Sequence, residues 1–274
     1  MHIIVPIKQV PETSDVQMDR ETGTMIRSGR SSVLNPLDLY ALEAALLLKD
    51  QQEATITVMT MGPPSAIKVL KEALSMGADR AIHLTDRHFG GSDTYATSHI
   101  LATAIKKAGP FDLVITGERA TDGDTAQVGP AIAAWLDLGL VTYVSTIKTL
   151  KQETLRVERL VEEGYQEVAV RLPALITVVK EVAIPRLPTL SNKRRSLTTT
   201  IESWGVDDLD VDRAKIGLKG SPTRVVKIET PKVARTCIIH RAEGDEQVRA
   251  AVDRLIDYLE EKHLLDRNEG ARHG

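Results

Sequence analysis

Apolar residues concentrate in short strand-like runs at 3–7, 54–60, 81–84 and 112–116, and between them lie longer stretches, 37–48, 65–75, 94–106 and 125–136, with apolar positions at helical spacing. Short apolar runs without alternation read as strands buried on both faces, and the amphipathic stretches read as the helices that cover them. The repeated strand–helix order predicts a doubly wound, Rossmann-like parallel sheet of the α/β class. In such a sheet ligands bind where the loops gather, at the carboxyl ends of the strands. Those loops are Lys8-Gln-Val-Pro11, Met61-Gly-Pro-Pro64, Phe89-Gly-Gly-Ser-Asp-Thr94 and residues 117–123, and each carries Gly, Pro or small polar residues that let backbone approach a ligand.

Past residue 145 the pattern changes to period two. Residues 155–159 and 166–172 flank the turn Glu163-Gly164 and predict a β-hairpin. A last buried strand is expected at 174–179, and beyond it Pro185, Pro188 and the weakly periodic stretch 191–200 read as an extended arm that leaves the domain body. A C-terminal helix over 246–262 carries Val248, Val252, Leu255, Ile256 and Leu259 on one stripe, which needs a cover. The expected organisation is an α/β domain at 1–183 and a protruding arm with a C-terminal segment at 184–274.

Composition narrows the chemistry. A chain of 274 residues with 42% hydrophobic content buries a sizeable core. Its formal net charge of -3 offers no basic field for a nucleic-acid backbone. The single cysteine, Cys237, excludes an internal disulfide framework and a thiolate cluster, and fits a reducing cytoplasm. The start, His2-Ile-Ile-Val-Pro-Ile7, lacks the features of a signal peptide, and no apolar run approaches the ~18 residues of a membrane span. The seven histidines show no metal-ligand spacing, so no metal site is expected.

The candidate chemistry lies in the stretch Asp122, Gly123, Asp124, Thr125, Ala126, Gln127, Val128, which follows a strand and opens a helix. The first turn of a helix has N–H groups without partners and carries about half a unit of positive charge, so a pyrophosphate can dock there without Lys or Arg. Two readings stay open for Asp122 and Asp124, as ligand-facing residues or as turn and cap residues. Lys8 likewise reads either as a phosphate partner or as a solvated charge at a strand end. Met59, Met61 and Met76 read as core fillers, Trp135 as core, and Trp204 as part of an inter-subunit surface.

Several motifs together resemble the beta subunit of electron-transfer flavoproteins: Lys8-Gln-Val-Pro11, Asn35-Pro-Leu-Asp38 with Tyr40-Ala-Leu-Glu43, Met61-Gly-Pro63, Ala73-Leu-Ser-Met-Gly-Ala-Asp79, Asp122 to Pro130, Leu172-Pro173 and Pro185-Arg186. The resemblance implies a sheet of the adenine-nucleotide alpha-hydrolase kind and a heterodimer with an alpha subunit that carries its own flavin. It also implies electron transfer with a partner dehydrogenase, of the acyl-CoA dehydrogenase type, and a C-terminal segment packed on the alpha subunit. Two branches compete: one holds AMP as a structural nucleotide, the other holds FAD, takes a hydride from NADH and bifurcates electrons. The glycine loop 89–94, the small residues of 122–129, and the stretches 217–222 and 230–232 resemble the bifurcating branch, whose low-potential acceptor is ferredoxin or flavodoxin.

Carried over position by position, the resemblance implies that Asp122 to Val128 hold the pyrophosphate, chiefly through backbone N–H groups with the Thr125 hydroxyl. It places Pro6, Asn35 and Met61 at the adenosine end, and Gly91, Ser92, Thr94 and Thr97 beside the flavin ring. Leu190, in Arg186-Leu-Pro-Thr-Leu190, becomes the apolar anchor on the partner dehydrogenase. The run Lys193-Arg-Arg195 that follows departs from the Lys-rich stretch of relatives and reads as a solvated face or as a contact for an acidic partner. No catalytic acid or base is called for, since hydride and electron transfer are cofactor chemistry. A universal-stress-type binding module would be about half this length, and an adenylating hydrolase of the related sheet type would carry a Ser-Gly-Gly-x-Asp-like loop after the first strand, where this chain has Lys8-Gln-Val-Pro11.

Overall fold

The computed structural model describes residues 1–12, 32–226 and 239–265. The chain forms two compact units, Met1–Lys227 and Ile228–Gly274. The first is built on a nine-stranded sheet. In chain order its strands are β1 His2–Pro6, β4 Thr55–Met61, β5 Arg80–Leu84, β6 Leu113–Gly117, β7 Gly139–Lys151, β8 Thr154–Val161, β9 Gly164–Arg171, β10 Ala174–Val178 and β11 Ile201–Trp204. Two short strands, β2 Gln9–Pro11 and β3 Ser32–Leu34, pair separately.

The spatial order is β11-β5-β4-β1-β6-β10-β7-β8-β9, parallel from β11 through β7 and antiparallel over β7–β9. Helices cover both faces of the parallel part because its strands are apolar on both faces. Ile3 and Val5 point into the cluster formed with α1 (Pro36–Gln51) and α2 (Ile67–Met76), through Leu42, Leu46, Leu70 and Leu74. Ile4 points the other way, toward α3 (Thr94–Ala108) and α4 (Val128–Leu136), with Ile100, Ile105 and Ile132. All of these side chains are essentially buried, so each of the larger ones contributes roughly 2 kcal/mol through surface removed from water.

The structure departs from the sequence reading where contacts are long-range. The hairpin is a three-stranded ribbon, because β7 precedes it and continues into the parallel sheet beside β10. β7 is half-exposed along much of its length and has no unbroken apolar run. Residues 190–198 form a helix, α5 (Leu190–Thr198), started by the Thr189 hydroxyl accepting the Asn192 N–H at 3.1 Å and packed on α2. The chain then returns as β11 to extend the sheet beside β5. The first compact unit therefore runs well past residue 183. Trp204, read as an inter-subunit surface, is 8% exposed and lies in the core with Phe89 and Ile82, capped by the Lys107 ammonium at 4.6 Å. Trp135 sits half-buried in the α3–α4 seam, against Tyr95 and His99 at 5.3 and 4.6 Å, and its indole N–H donates to the Ser98 hydroxyl.

In the second unit α7 (Asp245–Glu261) leaves Val248, Val252, Leu255 and Ile256 half-exposed. Cys237 and residues 230–232 lie outside the described residues. Among the described residues no helix is long and apolar enough to cross a membrane.

Candidate functional site

The winding of the sheet reverses at β1: the chain moves outward through β4 and β5, then returns to place β6 on the other side of β1. Neighbouring loops there leave in opposite directions and open a crevice. Asn35, fully buried before α1, closes its floor. Its backbone N–H donates to the Lys8 carbonyl at 2.8 Å, its amide donates to the Arg119 carbonyl at 3.0 Å, and its Oδ1 accepts the Thr121 N–H at 3.2 Å. Asn35 therefore staples the loop after β1 to the loop after β6, and its side chain makes no cap bond to α1. One turn later Asp38 accepts the Lys8 N–H at 2.8 Å. Burial pushes its carboxyl up to about 7, against the opposing pull of the Lys8 N–H and the Asn35 side chain. Pro6 ends β1 buried, and Met61 ends β4 half-buried.

The turn after β6 is shaped for an anion. Asp124 and Ala126 adopt left-handed backbone, with φ of 53° and 54°, and α4 begins only at Val128. Among the described residues, the N–H groups of Thr125, Ala126, Gln127, Val128 and Gly129 donate to no acceptor. Successive N–H groups in such a turn form a concave nest, here continuous with the positive end of a helix. Beneath it the Thr116 hydroxyl is buried without a partner among the described residues. It lies close under the first turn of α4, since a Cβ on Gly129 would stand 2.7 Å from Thr116 Oγ1 and 2.9 Å from Thr177 Cγ2. Glycine at 129 is what allows that approach. The donors fit phosphate oxygens, and among the described residues the expected pyrophosphate turn keeps unspent hydrogen-bonding capacity.

The charged residues with two open readings stand in ion pairs within the chain. Lys8 Nζ meets Asp122 Oδ1 at 2.6 Å, closing the crevice from β1 to the β6 loop. Arg119 meets Asp124 at 3.0 Å and Glu118 at 3.4 Å. Neither aspartate caps α4, whose N-cap residue is Gln127. A depression of about 380 Å³ beside the turn is lined by Pro36, Leu37, Tyr40, Arg119, Thr121 and Lys180.

The glycine loop after β5 is arranged differently. Asp93 caps α3 through the Ala96 N–H at 3.0 Å, Ser92 donates its hydroxyl to the Phe89 carbonyl at 2.8 Å, and Gly91 has φ of 75°. The space that Gly91 leaves is taken by Leu218, whose Cβ would lie 3.0 Å from an added Cβ. Thr94 donates its hydroxyl to Gln127 Oε1 at 2.8 Å and so ties this loop to the phosphate turn. Thr97 is half-buried one turn into α3. Lys8, Asn35 and Asp122–Val128 are thus drawn together, and Thr94 joins them through Gln127.

The arm has its own anchor. Arg186 donates through its backbone N–H and guanidinium to the buried Glu43 at 2.9–3.0 Å, and reaches Asp50 at 2.7 Å. Hydrogen bonding to Glu43, then to Asp50, holds the guanidinium pKa above its ordinary value. Leu190, at the start of α5, is 82% exposed, as are Leu187 and Ile184 to 87% and 92%. Sequence reasoning passed over Asp38, Thr116 and the Glu43–Arg186 pair as site residues. The motifs Asn35-Pro-Leu-Asp38, Tyr40-Ala-Leu-Glu43 and Pro185-Arg186 contained three of the four, and a polar residue inside an apolar strand was the available signal for Thr116.

The chain is a doubly wound α/β protein whose turn between β6 and α4 lies beside the switch point of the sheet. Residues 22–209 match the electron transfer flavoprotein domain. The chain is 45% identical over 268 residues, 97% of its length and all of the relative's, to an electron transfer flavoprotein subunit beta of Clostridium acetobutylicum. It is 44% identical over 271 residues, again 97% and 100%, to the caffeyl-CoA reductase-Etf complex subunit CarD of Acetobacterium woodii. Protein FixA of Bradyrhizobium diazoefficiens is 45% identical over 256 residues, 90% of this chain and 89% of that protein. The chain belongs to the electron transfer flavoprotein beta-subunit family, whose role is electron transfer.

Proposed function

We propose that the chain is the beta subunit of a cytoplasmic heterodimer that carries FAD in this crevice, with the pyrophosphate on Asp122–Val128, the adenosine end along Pro6, Asn35 and Met61, and the ring beside Gly91, Ser92, Thr94 and Thr97. The carrying observation is the set of N–H groups at 125–129 without acceptors, over the buried Thr116 hydroxyl. FAD bound there would supply hydride acceptance from NADH and delivery of electrons along two paths: through the alpha-subunit flavin to a dehydrogenase, and to ferredoxin or flavodoxin. The protein's part is to hold the phosphates by backbone donors, to fix the relation of the two loops through Thr94 and Gln127, and to seal the crevice with the Lys8–Asp122 pair.

Similarity to CarD, named for a caffeyl-CoA reductase complex, supports a partner dehydrogenase acting on a CoA thioester. The arm rooted by Arg186 and tipped by Leu190 suits docking to it, and the apolar stripe of α7 suits packing on the alpha subunit. A second reading, AMP in place of FAD, draws support from the ring side: Leu218 occupies the space at Gly91, and the Ser92 and Thr94 hydroxyls are spent within the chain.

Acid extraction and chromatography of the purified complex with its alpha subunit test the proposal. Two FAD per heterodimer are expected, and one FAD with one AMP would replace the bifurcating reading with the structural-nucleotide one. Leu190→Ala is expected to slow electron flow to the dehydrogenase with nucleotide content intact, and unchanged transfer would remove the anchor role.

A further inference from the structure

The segment after β11 returns to the glycine loop and is fastened to it by hydrogen bonds from both sides. Gly217 donates its N–H to the Ser92 hydroxyl at 3.0 Å, and Leu218 donates its N–H to the Gly90 carbonyl at 3.2 Å. Asp93 donates its own N–H to Ser221 Oγ at 2.9 Å, and its Oδ2 accepts both the N–H and the hydroxyl of Thr223, at 2.9 and 2.8 Å. The fit depends on glycine in both layers. Gly217 has φ of 64°, and a Cβ there would meet the His88 carbonyl oxygen at 2.2 Å, while Gly91 with φ of 75° accommodates Leu218.

The two oxygens of Asp93 are therefore divided: Oδ1 starts α3, and Oδ2 binds the strap. A carboxylate is the one short side chain that accepts on both sides at once, and hydrogen bonds to an ionised acceptor are about twice as strong as neutral ones. We infer that Asp93 is a positioning residue, which through Thr223 clamps the strap 217–223 onto the glycine loop and so sets the backbone of 90–92 at the edge of the nucleotide crevice. The inference rests on the proposed site only for its effect on a bound flavin; the clamp itself is tested without one.

Asp93→Asn separates the two roles. Asparagine caps a helix as well as aspartate does, so α3 is kept, but its NH2 group is turned against the Thr223 N–H and can only donate to the Thr223 hydroxyl, so the acceptor for both donors is lost. Hydrogen exchange of the heterodimer is expected to show amides at 90–93 and 217–223 exchanging at least about tenfold faster in Asp93→Asn and in Thr223→Val, with α3 amides unchanged and Thr223→Ser close to wild type. If the complex carries two FAD, the visible circular dichroism and reduction potential of one of them should shift in the same two variants and be restored in Thr223→Ser. Exchange at 90–93 that matches wild type in Asp93→Asn would overturn the clamp. Faster exchange with an unmoved flavin signal would overturn its bearing on the crevice. A complex with one FAD and one AMP would overturn the FAD reading, with the exchange result still deciding the clamp.

Discussion

The helices α3 and α4 start side by side, joined by the hydrogen bond from Thr94 to Gln127, yet their N-termini are treated in opposite ways. At α3 the Asp93 carboxylate takes the Ala96 N–H and its other oxygen holds Thr223, so the positive end of the helix is already neutralised. At α4 the N-cap residue is Gln127, whose side chain makes no cap bond, and five consecutive N–H groups from Thr125 stand without acceptors among the described residues. An uncapped helix end is costly unless something satisfies it. The contrast is that α3 is finished by its own chain, while the first turn of α4 is left open among the described residues, as the proposed phosphate site requires.

The largest effect is expected where the open end is pressed onto the sheet. Gly129→Leu would drive a side chain into Thr116 and Thr177, lift the first turn of α4, and cost roughly 3 kcal/mol or more of stability. Adenine-nucleotide content should be lost at the same time. Chemical denaturation and nucleotide extraction check this, and a variant that keeps nucleotide would break the assignment of the open end.

Next comes Asp38, beneath the loops that form the open end. Its folded pKa of about 7 lies above the ordinary 3.8, so the folded state binds the extra proton between those values. The stability it contributes is complete below about pH 4 and is lost as pH rises through about 7. Asp38→Asn should thus be near wild type at about pH 4 and more stable at pH 7.5, by roughly 4 kcal/mol at most, from about three pKa units at ~1.4 kcal/mol each. Thermal melts across this range read the difference, and parallel curves would show that Asp38 ionises normally.

The capped end is expected to cost less. Asp93→Ala removes the α3 cap and both bonds to Thr223, for about 2 kcal/mol by urea denaturation. Gln127→Ala removes no cap and should change stability by less than about 0.5 kcal/mol, while loosening the tie to Thr94. Equal losses in the two variants would erase the distinction between the helix ends.

Much of the frame was legible in the sequence. The apolar runs at 54–60 and 81–84 are β4 and β5, and the stretch 37–48 is α1. The expected helix at 125–136 begins three residues later, because Asp124 and Ala126 adopt left-handed backbone and hold 125–127 in the turn. The strands β7 and β11 were missed, one half-exposed and one only four residues long, since neither carries a strong pattern of its own. In the site, Asn35 was named as an adenosine contact, but the structure shows what its amide does within the chain: it joins Lys8, Arg119 and Thr121.

The sequence by itself determined the α/β class, the burial of the central strands on both faces, the position of the turn between β6 and α4 and, through its run of motifs, the family. These are properties of neighbouring residues, set by periodicity, turn chemistry and helix starts. Tertiary structure decided that Asp38 would be buried against Lys8, thirty positions away in the chain. It also decided that Thr116 would lie unpaired beneath α4, and that Asp93 would meet Thr223 across a separation of 130 residues. Such pairings have no local signature, because a buried carboxylate or hydroxyl acquires its partners, or lacks them, only when distant segments are brought to the same edge of the sheet.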